Sequence, residues 1–139
     1  MEIGIMSLTR ESETVKAFEG GSFRDRPAGK GLFSPMPMNA LLRIAKRYEY
    51  GALKYGKSEA YKDGLPVSDC FNSAMRHLVQ YMSGDNSEDH LAAACWNCMA
   101  MMYMEEENPQ WQDVKSRKNL SKKRGSFNYI ERALEEGIK

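Results

Sequence analysis

From about residue 38 onward the apolar positions of this chain recur with the period of a helix, whereas over residues 1–33 they show no sustained period. In "NALLRIAKRYEYGALKYG", Leu41, Ala45, Tyr48, Ala52 and Tyr55 follow one another at spacings of four and three, which places them on one helical face. Pro35 and Pro37 can precede or open a helix but not sit inside one, and Gly56 is a plausible stop. The pattern therefore predicts a first helix over about 38–55. The turn-rich "KSEAYKDGLPVS" follows, punctuated by Gly64 and Pro66. A second stripe of Cys70, Ala74, His77, Leu78 and Tyr81 then predicts a helix over about 68–83, with Ser68 or Asp69 near its N-cap and Gly84 just beyond its end.

The connector "GDNS" is short, so the second and third helices should be antiparallel neighbours. The third helix is expected from about Ser87 to Glu107, closed by Pro109. Between Leu91 and Met104 it is apolar on nearly every side, which marks it as the central helix. A shorter fourth helix is expected over about 127–136, with Ser126 as candidate N-cap and Gly137 as stop. No segment alternates convincingly with period two, and "EGGSFRDRPAGKGLF" reads as an irregular loop. The expectation is an all-α fold in a single domain. It has a helical core over about 34–107, an irregular N-terminal arm over 1–33, and a basic segment with a short C-terminal helix over 108–139.

Composition sharpens this picture in three places. A length of 139 residues suits one domain, and a net charge of +1 does not point to nucleic acid or a membrane surface as a partner. The basic run "KSRKNLSKKR", Lys115 to Arg124, reads as a solvated segment. Three cysteines, no apolar leader in "MEIGIMSLTRESETVK", and an apolar run too short for a membrane span lead to the expectation of a soluble, cytoplasmic protein with reduced thiols. The ten methionines are explained by irregular packing where helices meet.

The candidate chemistry lies in a few residues. "CWNC", Cys95 to Cys98, has redox or zinc spacing, but it falls mid-helix in apolar company and has no second pair, so inert core cysteines are the simpler reading. His77 sits on an apolar stripe, where a lone histidine is usually a core residue. His90 and Asn97 are seven positions apart and point nearly the same way, and a buried Asn97 must bond either to a facing helix or to a ligand. Asp85, Glu88 and Asp89 cluster at the start of the third helix, where carboxylates suit the helix dipole. If the first and third helices pack side by side, Glu49 approaches Glu88 and Asp89. Such acids suit Mg²⁺, with Lys54, Lys57 and Arg76 placed to meet phosphates. No Walker-type loop is present.

Three stretches in order, "EYGALKYG", "AMRHL" and "GDNSEDHLAAACWN", resemble the phage dATP/dGTP diphosphohydrolase N-terminal family, which is grouped with the MazG-like all-α nucleotide pyrophosphohydrolases. The similarity covers roughly residues 24–107. It implies a MazG-like helical bundle that cleaves a purine deoxynucleotide, dATP or dGTP, between the α and β phosphates with Mg²⁺ as cofactor. On this resemblance Glu49, Glu88 and Asp89 would hold metal and activate water. Lys54, Tyr55 and Arg76 would meet phosphate, and His77, His90 and Asn97 would position ligand or base. It also implies a homodimer or homotetramer. The chain lacks the family's Arg-Asn-Trp stretch after "KYG", where Tyr61 is the available aromatic. It also lacks the doubled-glutamate motif of MazG proper, so a nucleotide-binding protein without turnover is the alternative. A third reading, nucleic-acid docking by the basic run, has no recognition motif to support it.

Overall fold

The computed structural model describes residues 15–25, 29–118 and 129–137. The chain forms two compact units, Met1–Pro35 with Phe127–Lys139, and Met36–Ser126. In the first unit, strands β1 (Val15–Ala17) and β2 (Phe23–Asp25) pair antiparallel, with Lys16 opposite Arg24. This hairpin corrects the expectation of a wholly irregular arm. Its strands are three residues long, too short to display an alternating pattern. Bonds from Phe18 N–H to Ser22 O (2.8 Å) and from Gly21 N–H to Phe18 O (2.9 Å) close the turn, which Gly21 enters at φ +86°. The same unit contains the C-terminal helix, Tyr129–Glu135, which ends at Gly137 in a positive-φ conformation. The proposed cap at Ser126 lies outside the described residues.

The second unit is built on three helices, α1 (Met38–Tyr55), α2 (Val67–Met82) and α3 (His90–Glu107). The structure is mostly helical and its helices pack on one another, an all-α fold. α1 follows Pro37 and stops at Gly56, whose φ of +69° lets its N–H reach Ala52 O at 2.8 Å. α3 packs against both α1 and α2, as a central helix must. The core between α2 and α3 is made of small side chains, namely Cys70, Ala74, Ala92, Ala93 and Ala100, which let the backbones come close. Met104 closes it at the far end.

The helical faces differ in detail from the sequence pattern. On α1 the half-covered positions are Ala40, Leu41, Ile44, Arg47, Tyr48, Gly51 and Ala52, whereas Ala45 and Tyr55 are exposed. On α2 the inward residues are Val67, Cys70, Ala74 and His77, and Leu78 and Tyr81 point outward. α3 begins at His90, because Asp89 takes the N-cap position and its side chain accepts the Ala92 N–H.

After α3 the chain turns back across the start of α2. Pro66, the N-cap residue of α2, has no side-chain acceptor, and Asp113 supplies one. Its Oδ1 accepts the Ser68 N–H at 2.9 Å, and its Oδ2 accepts the Ser68 hydroxyl. The Trp111 ring lies directly over Gly64, which fixes the loop between α1 and α2.

Candidate functional site

The loop held by Trp111 and Asp113 forms one wall of a cavity of about 480 Å³ within the helical unit. That volume suits a small organic ligand. Its aromatic lining comes from three places in the sequence: Tyr48, Tyr50 and Tyr55 on α1, Tyr61 on a short 3₁₀ turn, and Trp96 on α3. Tyr48 and Trp96 have ring centroids 5.9 Å apart, and Tyr61 stands edge-on to both at 6.1 and 6.4 Å. Tyr103 backs Tyr61 at 5.1 Å. Burial pushes the Tyr48 hydroxyl pKa up, which keeps this side chain neutral.

Polar groups are few and placed at intervals. Arg47, Lys57, Asp69, Ser73, His77 and Asn97 line the same cavity. Asn97 is buried and donates from Nδ2 to Ala93 O, one turn back in its own helix, at 2.9 Å. This bond is made within its own helix, and not to a facing helix, one of the two alternatives for Asn97; it holds the amide at the cavity wall. Lys57 is drawn to Asp63, with its Nζ 2.7 and 2.8 Å from the two carboxylate oxygens.

A second cluster stands where α2 meets the start of α3. His77 Nδ1 and His90 Nδ1 are 3.0 Å apart, and Glu88 Oε1 is 3.3 Å from the first and 3.8 Å from the second. Arg47 reaches the same Glu88 oxygen at 3.4 Å, so Arg47 and His77 join this cluster to the cavity. Partial burial pushes the His77 pKa down and outweighs the opposing pull of Glu88. His77 is thus half of a pair, partly buried and bonded to His90.

The other expected site residues are distributed as follows. Asp89 is engaged on both oxygens by Arg43, at 2.7 and 2.8 Å, and this ion pair with the helix cap holds its carboxyl at a pKa of about 2. Glu49 is exposed, and two residues of helix rotate it about 200° from Arg47, away from Glu88 and Asp89. The structure therefore does not bring Glu49, Glu88 and Asp89 together within one chain. Tyr55 lines the cavity, whereas Lys54 and Arg76 are exposed and do not. Lys54 lies over the rings of Tyr50 and Tyr55, at 5.9 and 5.2 Å. Cys95 and Cys98 are exposed on α3, which corrects the reading of both as core cysteines, and only Cys70 is buried.

Arg43, Arg47 and Trp96 are not legible as site residues in the sequence, and Tyr48 is legible there only as part of an apolar helical face. The spacing of Arg43 and Arg47 by four, with Glu88 and Asp89 adjacent in the chain, was the available signal for two parallel ion pairs.

The match to known families settles what this arrangement belongs to. Residues 21–114 match the family described as dATP/dGTP diphosphohydrolase, N-terminal. The chain belongs to this family. The matched region contains all three helices of the second unit, the aromatic cavity and the histidine cluster. No curated protein and no solved structure matches the chain significantly.

Mg²⁺, the ion expected from the resemblance, prefers six oxygen donors. Among the described residues, one group of three or more histidines, cysteines and carboxylates converges on a point, and it is His77, Glu88 and His90. Two of its three donors are imidazole nitrogens, so it does not fit Mg²⁺.

Proposed function

We propose that the chain hydrolyses a purine deoxynucleoside triphosphate, dATP or dGTP, to the monophosphate and pyrophosphate in a Mg²⁺-dependent reaction. The observation that carries this reading is the aromatic-walled cavity inside the matched region, with an arginine at its junction with an acidic group. Flat π-faces suit a base, and stacking on an aromatic side chain contributes about 1–3 kcal/mol per base. Asp69, Ser73 and Asn97 offer the mixed donors and acceptors that a purine edge requires. Arg47 and Lys57 offer positive charge to the phosphates, in a setting where nearby Glu88 and Asp63 hold them in place. Water attack at the α-phosphorus expels pyrophosphate, whose negative charge Arg47 is placed to offset. Mg²⁺ enters this reading with the substrate, carried on the triphosphate oxygens.

The dispersal of Glu49, Glu88 and Asp89 favours a second reading, a protein that binds the nucleotide without cleaving it. Steady-state rates with the four deoxynucleoside triphosphates separate the two. Turnover of dATP and dGTP well above that of dCTP and dTTP is expected, with kcat/KM lowered about tenfold or more in Arg47→Gln. Equal rates on all four, or an Arg47→Gln variant with wild-type kcat/KM, would contradict the proposed site.

A further inference from the structure

The His77, Glu88 and His90 donor atoms lie within 4.8 Å of one another, close enough to share a metal ion. The three edges of the triangle are 3.0, 3.3 and 3.8 Å. Ligands roughly 2.0–2.2 Å from a tetrahedrally bound ion lie about 3.3–3.6 Å from one another, a range that the three edges straddle. We propose that His77 Nδ1, His90 Nδ1 and Glu88 Oε1 bind a first-row transition-metal dication of the Zn²⁺, Co²⁺ or Mn²⁺ type, with at least one position left to water or another oxygen ligand. Two neutral imidazoles and one carboxylate suit such ions, whereas Mg²⁺ and Ca²⁺ favour oxygen throughout.

The surroundings of His90 add an independent reason. Its Nε2 is buried with no aligned hydrogen-bond partner, yet it lies 3.3 Å from Asp85 Oδ2. Asp85 is itself pinned, accepting the Ser87 N–H at 2.8 Å. A carboxylate behind the far nitrogen of an imidazole is the usual support of a metal-bound histidine, because it keeps the proton on that nitrogen and leaves the other with a free lone pair. A plain hydrogen bond between His77 and His90 accounts for their 3.0 Å approach, but it gives no role to Glu88 at the third corner or to Asp85 behind.

Access and competition are also compatible with an ion. The side chain of His90 is 2% exposed, that of His77 16% and that of Glu88 38%, so the triangle opens on the glutamate side. Arg47 is the cation already near Glu88, at 3.4 Å. That is longer than the roughly 2.7–2.9 Å of a strong charge-assisted bond, and the arginine can swing toward the cavity. Cys95 and Cys98 are not members of the cluster.

The test is metal binding by the full chain after treatment with chelator. Co²⁺ is titrated while visible absorption and heat are recorded, in the presence of a large excess of Mg²⁺. One Co²⁺ per chain is expected, with d–d bands and no thiolate-to-metal charge-transfer band. His77→Ala and Glu88→Gln should each weaken binding at least about tenfold, and Asp85→Asn about tenfold through loss of the supporting carboxylate. Glu88→Gln alters an exposed side chain, so it reports on binding even where His77→Ala disturbs folding. Displacement of Co²⁺ by Mg²⁺, Co²⁺ binding unchanged in Glu88→Gln, or a thiolate band that places the ion on cysteine would overturn the proposal. These readouts are of binding alone, so they stand or fall separately from nucleotide hydrolysis.

Discussion

Asp89 illustrates how one residue can serve a site by staying out of it. Its carboxylate accepts two bonds from Arg43 and one from the Ala92 N–H, which ties α1 to the first turn of α3 and so fixes where neighbouring Glu88 and His90 point. Its pKa, about 2 in the fold, is depressed from the roughly 3.9 of a free aspartate. The stabilisation is therefore fully present above about pH 4 and is lost as pH falls toward 2. Asp89→Ala should cost about 1–2 kcal/mol in denaturant melts at neutral pH, a figure that discounts the partly exposed ion pair for solvent screening. Arg43→Ala should cost less, and the double variant less than the sum of the two. An additive double variant would show that the pair is not coupled. At this scale the sequence was informative where spacing alone decides. His90 and Asn97 do share the buried side of α3. It was silent where the partner comes from another helix, as with His77 against His90 or Arg47 against Glu88.

At the scale of elements, three helices were legible to within three residues at each end, because Pro37, Gly56, Gly84 and Pro109 mark their limits in the sequence. The faces were less legible. Residue 44 replaces 45 on the inner side of α1, since several positions there have apolar character and only packing selects among them. The hairpin at residues 15–25 was missed because its few backbone bonds leave no hydrophobic pattern. The loop between α1 and α2 depends on a contact no local pattern contains. A Cβ added at Gly64 would come within 2.1 Å of the Trp111 ring, and the backbone there has φ +104°. Gly64→Ala should therefore cost about 2 kcal/mol or more, through backbone strain and displacement of the ring. It should also weaken nucleotide binding, because the same loop carries Tyr61 and Leu65 into the cavity wall. Thermal melts and binding titrations check both effects. A variant with the wild-type melting temperature would show that Trp111 moves aside at little cost.

For the whole molecule, the most informative surface is apolar. On α2 the side chains of Phe71, Met75, Leu78, Val79 and Met82 are exposed at helical spacing, Val79 at 60% and Met82 at 82%. On α3, Cys95, Met99 and Met102 form a second exposed row. These rows explain why α3 reads as apolar all round although one of its faces is exposed among the described residues. Contiguous apolar surface of this kind commonly marks an interface. We propose that it is covered by further copies of the same chain, as a dimer or tetramer. Sedimentation should give a mass two or four times that of the chain, and Val79→Glu with Met82→Glu should reduce it to one while helical circular dichroism is retained. A wild-type monomer would contradict this. No helix among the described residues is long and apolar enough to cross a membrane.

Tyr48, Tyr61 and Trp96 line the cavity in which cleavage between the α and β phosphates is proposed. The most direct measurement is product analysis of dATP and dGTP, incubated with the purified protein and Mg²⁺ in ¹⁸O-labelled water. Deoxynucleoside monophosphate and pyrophosphate are expected in equal amounts, with the label on the monophosphate. Release of orthophosphate, label in the pyrophosphate, or intact triphosphate after long incubation would contradict it.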